Sequence, residues 1–171
     1  DWFNENTTFD SVVYANEEIS SLLPIYTANN VFYSRYANLF IIPDAEVEER
    51  FILNNFFEEF DRDFVIGNER SILGVRYIDR YGDAVQANKW RRTLGLKLKD
   101  ETRLPEEEVN KVLALATRVQ KSSFEAALKD YKIDYFVWDK NKDPGWRLND
   151  RRFLKAVFEN EGLAIYSFES I

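Results

Sequence analysis

Cysteine, histidine and methionine are all absent from the 171 residues. Without Cys and His there can be no Cys/His zinc site, no thiol nucleophile and no Ser-His-Asp triad. Acid–base chemistry would fall to carboxylates, Lys and Tyr. Missing cysteine does not choose a compartment, because a domain of this size can bury a core without disulfides. With no Met, and Asp1 at the start, the chain is read as a processed or excised piece of a longer protein. No signal peptide is visible. No stretch approaches the ~18 apolar residues of a membrane span; the longest candidate is Leu39-Phe-Ile-Ile42. Walker-type and dinucleotide glycine motifs are missing as well. Glycine and proline are scarce (6 and 4), and there is no Pro/Gly/Ser linker and no internal repeat.

What is present belongs to a packed domain. Hydrophobic residues make up 45% and aromatics 16% of the chain, and a chain this long buries roughly 70% of its unfolded surface. Net charge is −7, unevenly spread: residues 1–60 carry 2 basic and 11 acidic side chains, residues 61–103 carry 10 and 7. An acidic whole argues against nucleic acid as partner, since phosphate binding needs a clustered positive surface.

Within Tyr131-Lys-Ile-Asp-Tyr-Phe-Val-Trp-Asp139, the run Ile133 to Trp138 reads as a buried strand, followed by the polar turn Asp139–Gly145. Ser122-Ser-Phe-Glu125 is a capping-box signature ahead of a short helix bearing Phe124, Ala127, Leu128 and Tyr131. Earlier come a helix end at Asp1–Asn6, a strand at Ser11–Ala15, and a brief helical turn capped by Asn16 or Ser20 and halted near Pro24. A second strand covers Asn30–Tyr33. Pro43-Asp44 opens a helix with Val47, Phe51, Ile52, Phe56 and Phe60 at helical spacing. Ile72 to Tyr81 reads as helix or strand. Pro105 and three glutamates start another helix. Asn149 or Asp150 caps a last helix with Phe153, Leu154, Val157 and Phe158, and Gly162–Phe168 is the final strand. The fold class is therefore α/β: one domain over 1–171, a small, partly parallel sheet with helices packed on it, and an insertion expected at about 62–103.

Several stretches, in their order, carry a family likeness. They are Trp2-Phe-Asn-Glu-Asn-Thr7, Ser11-Val-Val-Tyr14, Pro24-Ile-Tyr-Thr-Ala-Asn-Asn-Val-Phe-Tyr33, Glu48-Glu-Arg50, Ile133-Asp-Tyr-Phe-Val137 and Gly162-Leu-Ala-Ile-Tyr166. This order resembles the C-terminal extracytoplasmic domain of multi-spanning membrane glycosyltransferases of the GT-C type, which use lipid-linked sugar donors. Two features depart from that pattern. Ala28-Asn29-Asn30 stands where such domains carry Gly-Arg or similar, and the basic stretch within 62–103 is not one of their hallmarks. The resemblance implies an accessory domain on the extracytoplasmic face, partnered by its own transmembrane part and assisting binding of acceptor or lipid-linked sugar. It also implies that the catalytic carboxylates sit elsewhere, between membrane helices. No catalytic residue, metal ligand or cofactor is accordingly assigned to this chain. The alternative reading is a free-standing carbohydrate- or protein-binding module, and a small carboxylate hydrolase is a third.

Two groups of residues are candidate binding sites. Lys89, Trp90, Arg91 and Arg92, with Lys97, Lys99 and Arg103, place cations around an indole, suited to anionic headgroups or a lipid-linked phosphate. They serve equally as a solvated face paired with the acidic N-terminal third. Tyr26, Asn29, Asn30, Tyr33 and Arg35, with Tyr36, combine rings with amides, which suits sugars. Alternatively the tyrosines are core and the asparagines turn residues. Glu58, Glu59, Asp61 and Asp63 could gather around a hard cation. Asp139-x-Asn141-x-Asp143 is half of a calcium loop with Pro144 where Gly belongs, which favours a turn. Asn6-Thr7-Thr8 matches the glycosylation acceptor pattern.

Overall fold

Successive side chains of a strand point to opposite faces, and here both faces are apolar. Val13 and Ala15 go one way with Val137 and Ile165; Tyr14 goes the other with Phe136, Trp138, Ala164 and Tyr166. A sheet buried on both sides needs helices on both, so the chain builds three layers. The computed structural model describes residues 2–36 and 42–168. Asp1 and all of the apolar run Leu39–Ile42 except Ile42 lie outside the described residues.

The sheet has five strands: β1 (Val12–Tyr14), β2 (Asn30–Val31), β3 (Tyr135–Asp139), β4 (Leu154–Glu159) and β5 (Leu163–Phe168). Their order is β2-β1-β3-β5-β4. β2, β1 and β3 run parallel; β5 and β4 are added antiparallel. The fold is α/β with a mixed sheet, as the sequence implies.

Helices α1 (Trp2–Asn6) and α2 (Glu17–Tyr26) cover one face. There Trp2, Phe3, Ile19 and Leu23 pack over Val13, Val137 and Ile165. The other face carries α3 (Asp44–Asn54), α4 (Arg62–Gly67), α5 (Glu69–Leu73), α7 (Glu106–Gln120) and α8 (Phe124–Leu128), which share one core with Tyr14, Phe32, Phe136 and Tyr166. Between α5 and α7 stands α6 (Arg76–Thr93), the longest helix, which buries only Tyr77, Ala84 and Asn88. Val65, Ile72 and Leu73, inside the 62–103 stretch, belong to the shared core. The outward part of that stretch begins with α6.

Four local expectations need correction. The last helix is strand β4, and a β-bulge accounts for its helix-like spacing. Val157 is skipped in the pairing between Ala156↔Tyr166 and Phe158↔Ile165. Leu154 therefore joins the Tyr14 side of the sheet while Phe158 reaches the Val13 side. α2 does not stop before Pro24 but runs on to Tyr26, its one lost amide outweighed by burial of Leu23. α3 ends at Asn54, short of Phe56 and Phe60; Asn55 Nδ2 caps Phe51 O at 2.9 Å, and Tyr14 donates to the last carbonyls. The α8 cap is Ser123, one residue later than the capping-box spacing, its Oγ accepting from Ala126 N. Ile72–Tyr81 resolves as two helices broken at Gly74, whose φ of 69° lies in the left-handed region.

Candidate functional site

In a doubly wound sheet the chain reverses direction of growth beside its first strand, and the crevice at the carboxyl ends of the strands is the usual ligand place. Here β1 is followed by α2 to β2 on one side, and by the chain to β3 on the other. The crevice is therefore bounded by Asn16, which follows β1, and by the Asp139–Asp143 turn, which follows β3. Its polar groups bind one another. Asn16 Oδ1 caps α2 by accepting from Ile19 N at 3.0 Å, and its Nδ2 donates to Asp143 Oδ2 at 2.6 Å. Asp139 Oδ1 accepts from the amides of Asn141 and Lys142 at 3.0 and 3.1 Å, and Asp139 O from Asp143 N at 2.9 Å. That is a closed turn, not half of a cation loop. Lys142 Nζ pairs with Glu18, and Arg35 with Glu17 at 3.2 Å. Burial, more than neighbouring charge, holds the Asp143 carboxyl above the usual carboxylate range. An open groove of about 470 Å³ runs beside this end, lined by Glu17, Glu18, Ser21, Leu22 and Arg35.

The second group of candidate residues does not meet at one place. Asn29 is buried and exchanges hydrogen bonds with Thr7 Oγ1 at 3.0 and 3.1 Å. Tyr33 is buried, its hydroxyl donating to Ser71 O at 2.9 Å, and burial raises its pKa. Asn30 bonds Asp10 at 3.3 Å. Tyr26 is 71% exposed at the C-terminal end of α2, whereas Arg35 and Tyr36 stand near Glu17 at its N-terminal end. A ten-residue helix separates them by about 14 Å.

The first group does stay together, on the outer end of α6 and the turn after it. Asn88 is fully buried and clamps the returning chain: Nδ2 donates to Lys99 O at 2.9 Å and Oδ1 accepts from Lys99 N at 2.8 Å. Arg91 Nε donates to Lys97 O, and Leu96 N to Arg91 O at 2.9 Å. Gly95, at φ +64°, makes the left-handed residue that this reversal requires. Arg92 pairs with Glu101 at 3.1 Å and Arg103 with the buried Glu69 at 2.8 Å. Lys89, Arg91 and Lys97 have no carboxylate partner among the described residues. Lys99 lines a neighbouring cleft of about 600 Å³ with Asp79, Asp83 and Asp100.

Comparison with known proteins adds no relative. No family model, no curated protein and no solved structure matches this chain.

Reasoning from sequence missed four residues of this turn. Leu94, Leu96 and Leu98 are exposed among the cations, and Asn88 pins the segment. The signal was present: residues 89–99 hold five basic side chains and no acidic one, alternating with leucines from 94 on. Among the other acids, Asp61 caps α4 by accepting from Phe64 N at 2.7 Å. No group of three or more potential metal ligands occurs among the described residues. Glu48, buried at 1%, meets Lys111 Nζ at 3.1 Å. Arg50 lies 5.3 Å from the centres of both the Phe32 and Tyr131 rings and donates to Phe32 O at 2.9 Å. Asn6 of the acceptor pattern bonds Trp2 O through its side-chain amide.

Proposed function

We propose that this is an accessory domain on the extracytoplasmic face of a multi-spanning GT-C-type membrane glycosyltransferase, bracing the membrane part and assisting binding of acceptor or lipid-linked sugar. The observation that carries the reading is where the family-like stretches fall. Trp2 and Phe3 of α1 dock on the sheet; Val12–Tyr14 is the central parallel strand; Glu48 and Arg50 are the buried and stacked charges of α3; Tyr135–Val137 and Leu163–Tyr166 are the paired strands β3 and β5. Apart from exposed Ile25 and Tyr26 in the Pro24–Tyr33 stretch, these family-like stretches supply mainly framework, which suits a domain whose shape is what is retained. The polar groups at the strand ends are engaged with one another in caps and ion pairs, which fits a bracing role better than a reaction centre.

The test is the reading frame that encodes this chain. Several apolar spans of about 20 residues each upstream, the last ending close to Trp2, are expected. A signal peptide directly upstream with no spans would overturn the reading in favour of a separate binding module.

A further inference from the structure

The turn that follows α6 joins two properties that seldom coincide on an exposed surface. Trp90, Leu94, Leu96 and Leu98 are 69, 68, 50 and 45% exposed. Around them stand Lys89, Arg91, Arg92 and Lys97, in an eleven-residue stretch with no acid, on a chain whose net charge is −7. Single exposed apolar residues are ordinary, but four large ones in nine residues form a patch that marks an interaction surface. The conformation is also held: Asn88 ties Lys99, Arg91 ties Lys97 and Leu96, and Gly95 supplies the reversal. The leucines are thus presented from a fixed turn.

We propose that this turn docks the domain onto an anionic lipid bilayer, with Trp90 and the three leucines entering the headgroup boundary and the cations resting on lipid phosphates. Indole, leucine and Lys/Arg together are the composition that partitions into a membrane interface. Charge complementarity selects the anionic surface, because a juxtamembrane cation gains most there. Nucleic acid would account for the cations but would leave the leucines in water. A second copy of this acidic chain would bring the apolar side chains of two such turns together at the cost of opposing cations. The proposal stands on this surface alone, whether or not membrane spans precede Trp2.

Flotation of the full chain with phosphatidylglycerol–phosphatidylcholine vesicles, against pure phosphatidylcholine, tests it. Binding is expected to the anionic vesicles and to weaken as salt screens the cations. Lys89→Ala and Lys97→Ala should each lower the partition constant about fivefold, and Leu94→Ser with Leu96→Ser should abolish it. All four side chains are exposed, so an unchanged thermal midpoint is expected and separates lost docking from lost folding. Because the chain has no cysteine, Leu96→Cys carrying an environment-sensitive dye reports insertion directly. Its emission should shift to the blue on anionic vesicles, while the dye on Lys121→Cys, on the far end of α7, should not. No partition, partition indifferent to the leucines, or equal response at both dyes would overturn the proposal. So would self-association of the wild-type chain that Leu96→Ser removes.

Discussion

Tyr14 joins β1 to the end of α3, and replacing it with Phe isolates one hydrogen-bonding group in an otherwise unchanged core. The ring is fully buried and lies 5.2–5.6 Å, centre to centre, from Phe32, Phe124, Phe136 and Trp146. Phe keeps those contacts. What is lost is the hydroxyl, which is 2.9 Å from Leu53 O and 3.1 Å from Asn54 O. Both carbonyls belong to the last turn of α3, where no helical partner exists. Leu53 O still accepts from Phe56 N at 3.3 Å, so the loss falls on Asn54 O, and leaving that carbonyl buried without a donor costs about 1–3 kcal/mol. For a chain of this size each kcal/mol lowers the midpoint by about 2–4 °C, so a central value of about 2 kcal/mol corresponds to a fall of about 4–8 °C. Urea titration followed by tryptophan emission measures the loss, with an unchanged urea dependence expected.

The same substitution has an alkaline signature with the opposite sign. Burial raises the Tyr14 pKa well above that of an exposed tyrosine. Below about pH 10 the phenol is neutral in both states and contributes no pH dependence. Above it the unfolded chain releases the proton while the folded chain keeps it, so stability falls by about 1.4 kcal/mol per pH unit. Tyr14→Phe removes that slope. Tyr33, also raised by burial, and Tyr131, pushed up to about 12, contribute equally to both proteins and cancel in the comparison. Starting about 2 kcal/mol below wild type, the variant should close on it as pH rises above 10. Parallel curves above pH 10, or a neutral-pH loss under about 0.5 kcal/mol, would refute the reasoning.

Three further outcomes follow from the same geometry. Asn88→Ala removes the amide that holds Lys99, so trypsin cleavage at Lys97 and Lys99 should accelerate by about tenfold or more; an unchanged rate would mean the turn is held by something else. Lys111→Ala leaves the buried Glu48 carboxylate without its cation, for a loss of about 1–3 kcal/mol, discounted because Lys111 itself is half exposed. Adding Glu48→Gln should restore part of that loss, and a double variant less stable than the single one would contradict the assignment. Burial raises the Asp143 pKa, so its charge costs stability at neutral pH and none below about pH 4, where both states are protonated. Asp143→Asn should therefore stabilise at pH 7 relative to pH 3, and urea titrations at the two pH values giving equal differences would reject this.

Periodicity was enough for the elements whose pattern runs without interruption. α7 buries Val109, Val112, Ala116 and Val119 on one stripe, and β3 buries Phe136, Val137 and Trp138 on two faces; both are legible from residue type alone. It misled where a local irregularity mimicked the other period. The bulge at Val157 sends Leu154 and Phe158 to opposite faces of the sheet, and from sequence the pair is indistinguishable from one turn of helix. The end of α3 was hidden for a different reason. Phe56 and Phe60 continue the helical spacing; at the stop Asn55 caps Phe51 O, and the last carbonyls meet the Tyr14 hydroxyl from about forty positions away. Local pattern carries no information about such a partner.

The candidate sites divide along the same line. Tyr26, Asn29, Asn30, Tyr33 and Arg35 are close in sequence, yet a helix and a strand of opposite sense carry them to both ends of the sheet, and two of them are buried. Nearness along the chain predicts nearness in space only within one turn or one hairpin, and residues 89–99 are that case. Their cations were legible because charge needs no fold to be counted. Their leucines alternate with those cations in the sequence, but a leucine reads as core until the structure leaves it in water. At a net charge of −7 the whole molecule is repelled by an anionic bilayer, so docking there requires a local surface strong enough to reverse that repulsion within a Debye length. Lys89, Arg91 and Lys97, free of carboxylate partners among the described residues and set around four exposed apolar side chains, meet that requirement. Restoring an acid next to them, as Thr93→Glu would, should weaken vesicle binding about fivefold without touching an apolar contact, and binding that survived the added charge would leave the cations without a part in it.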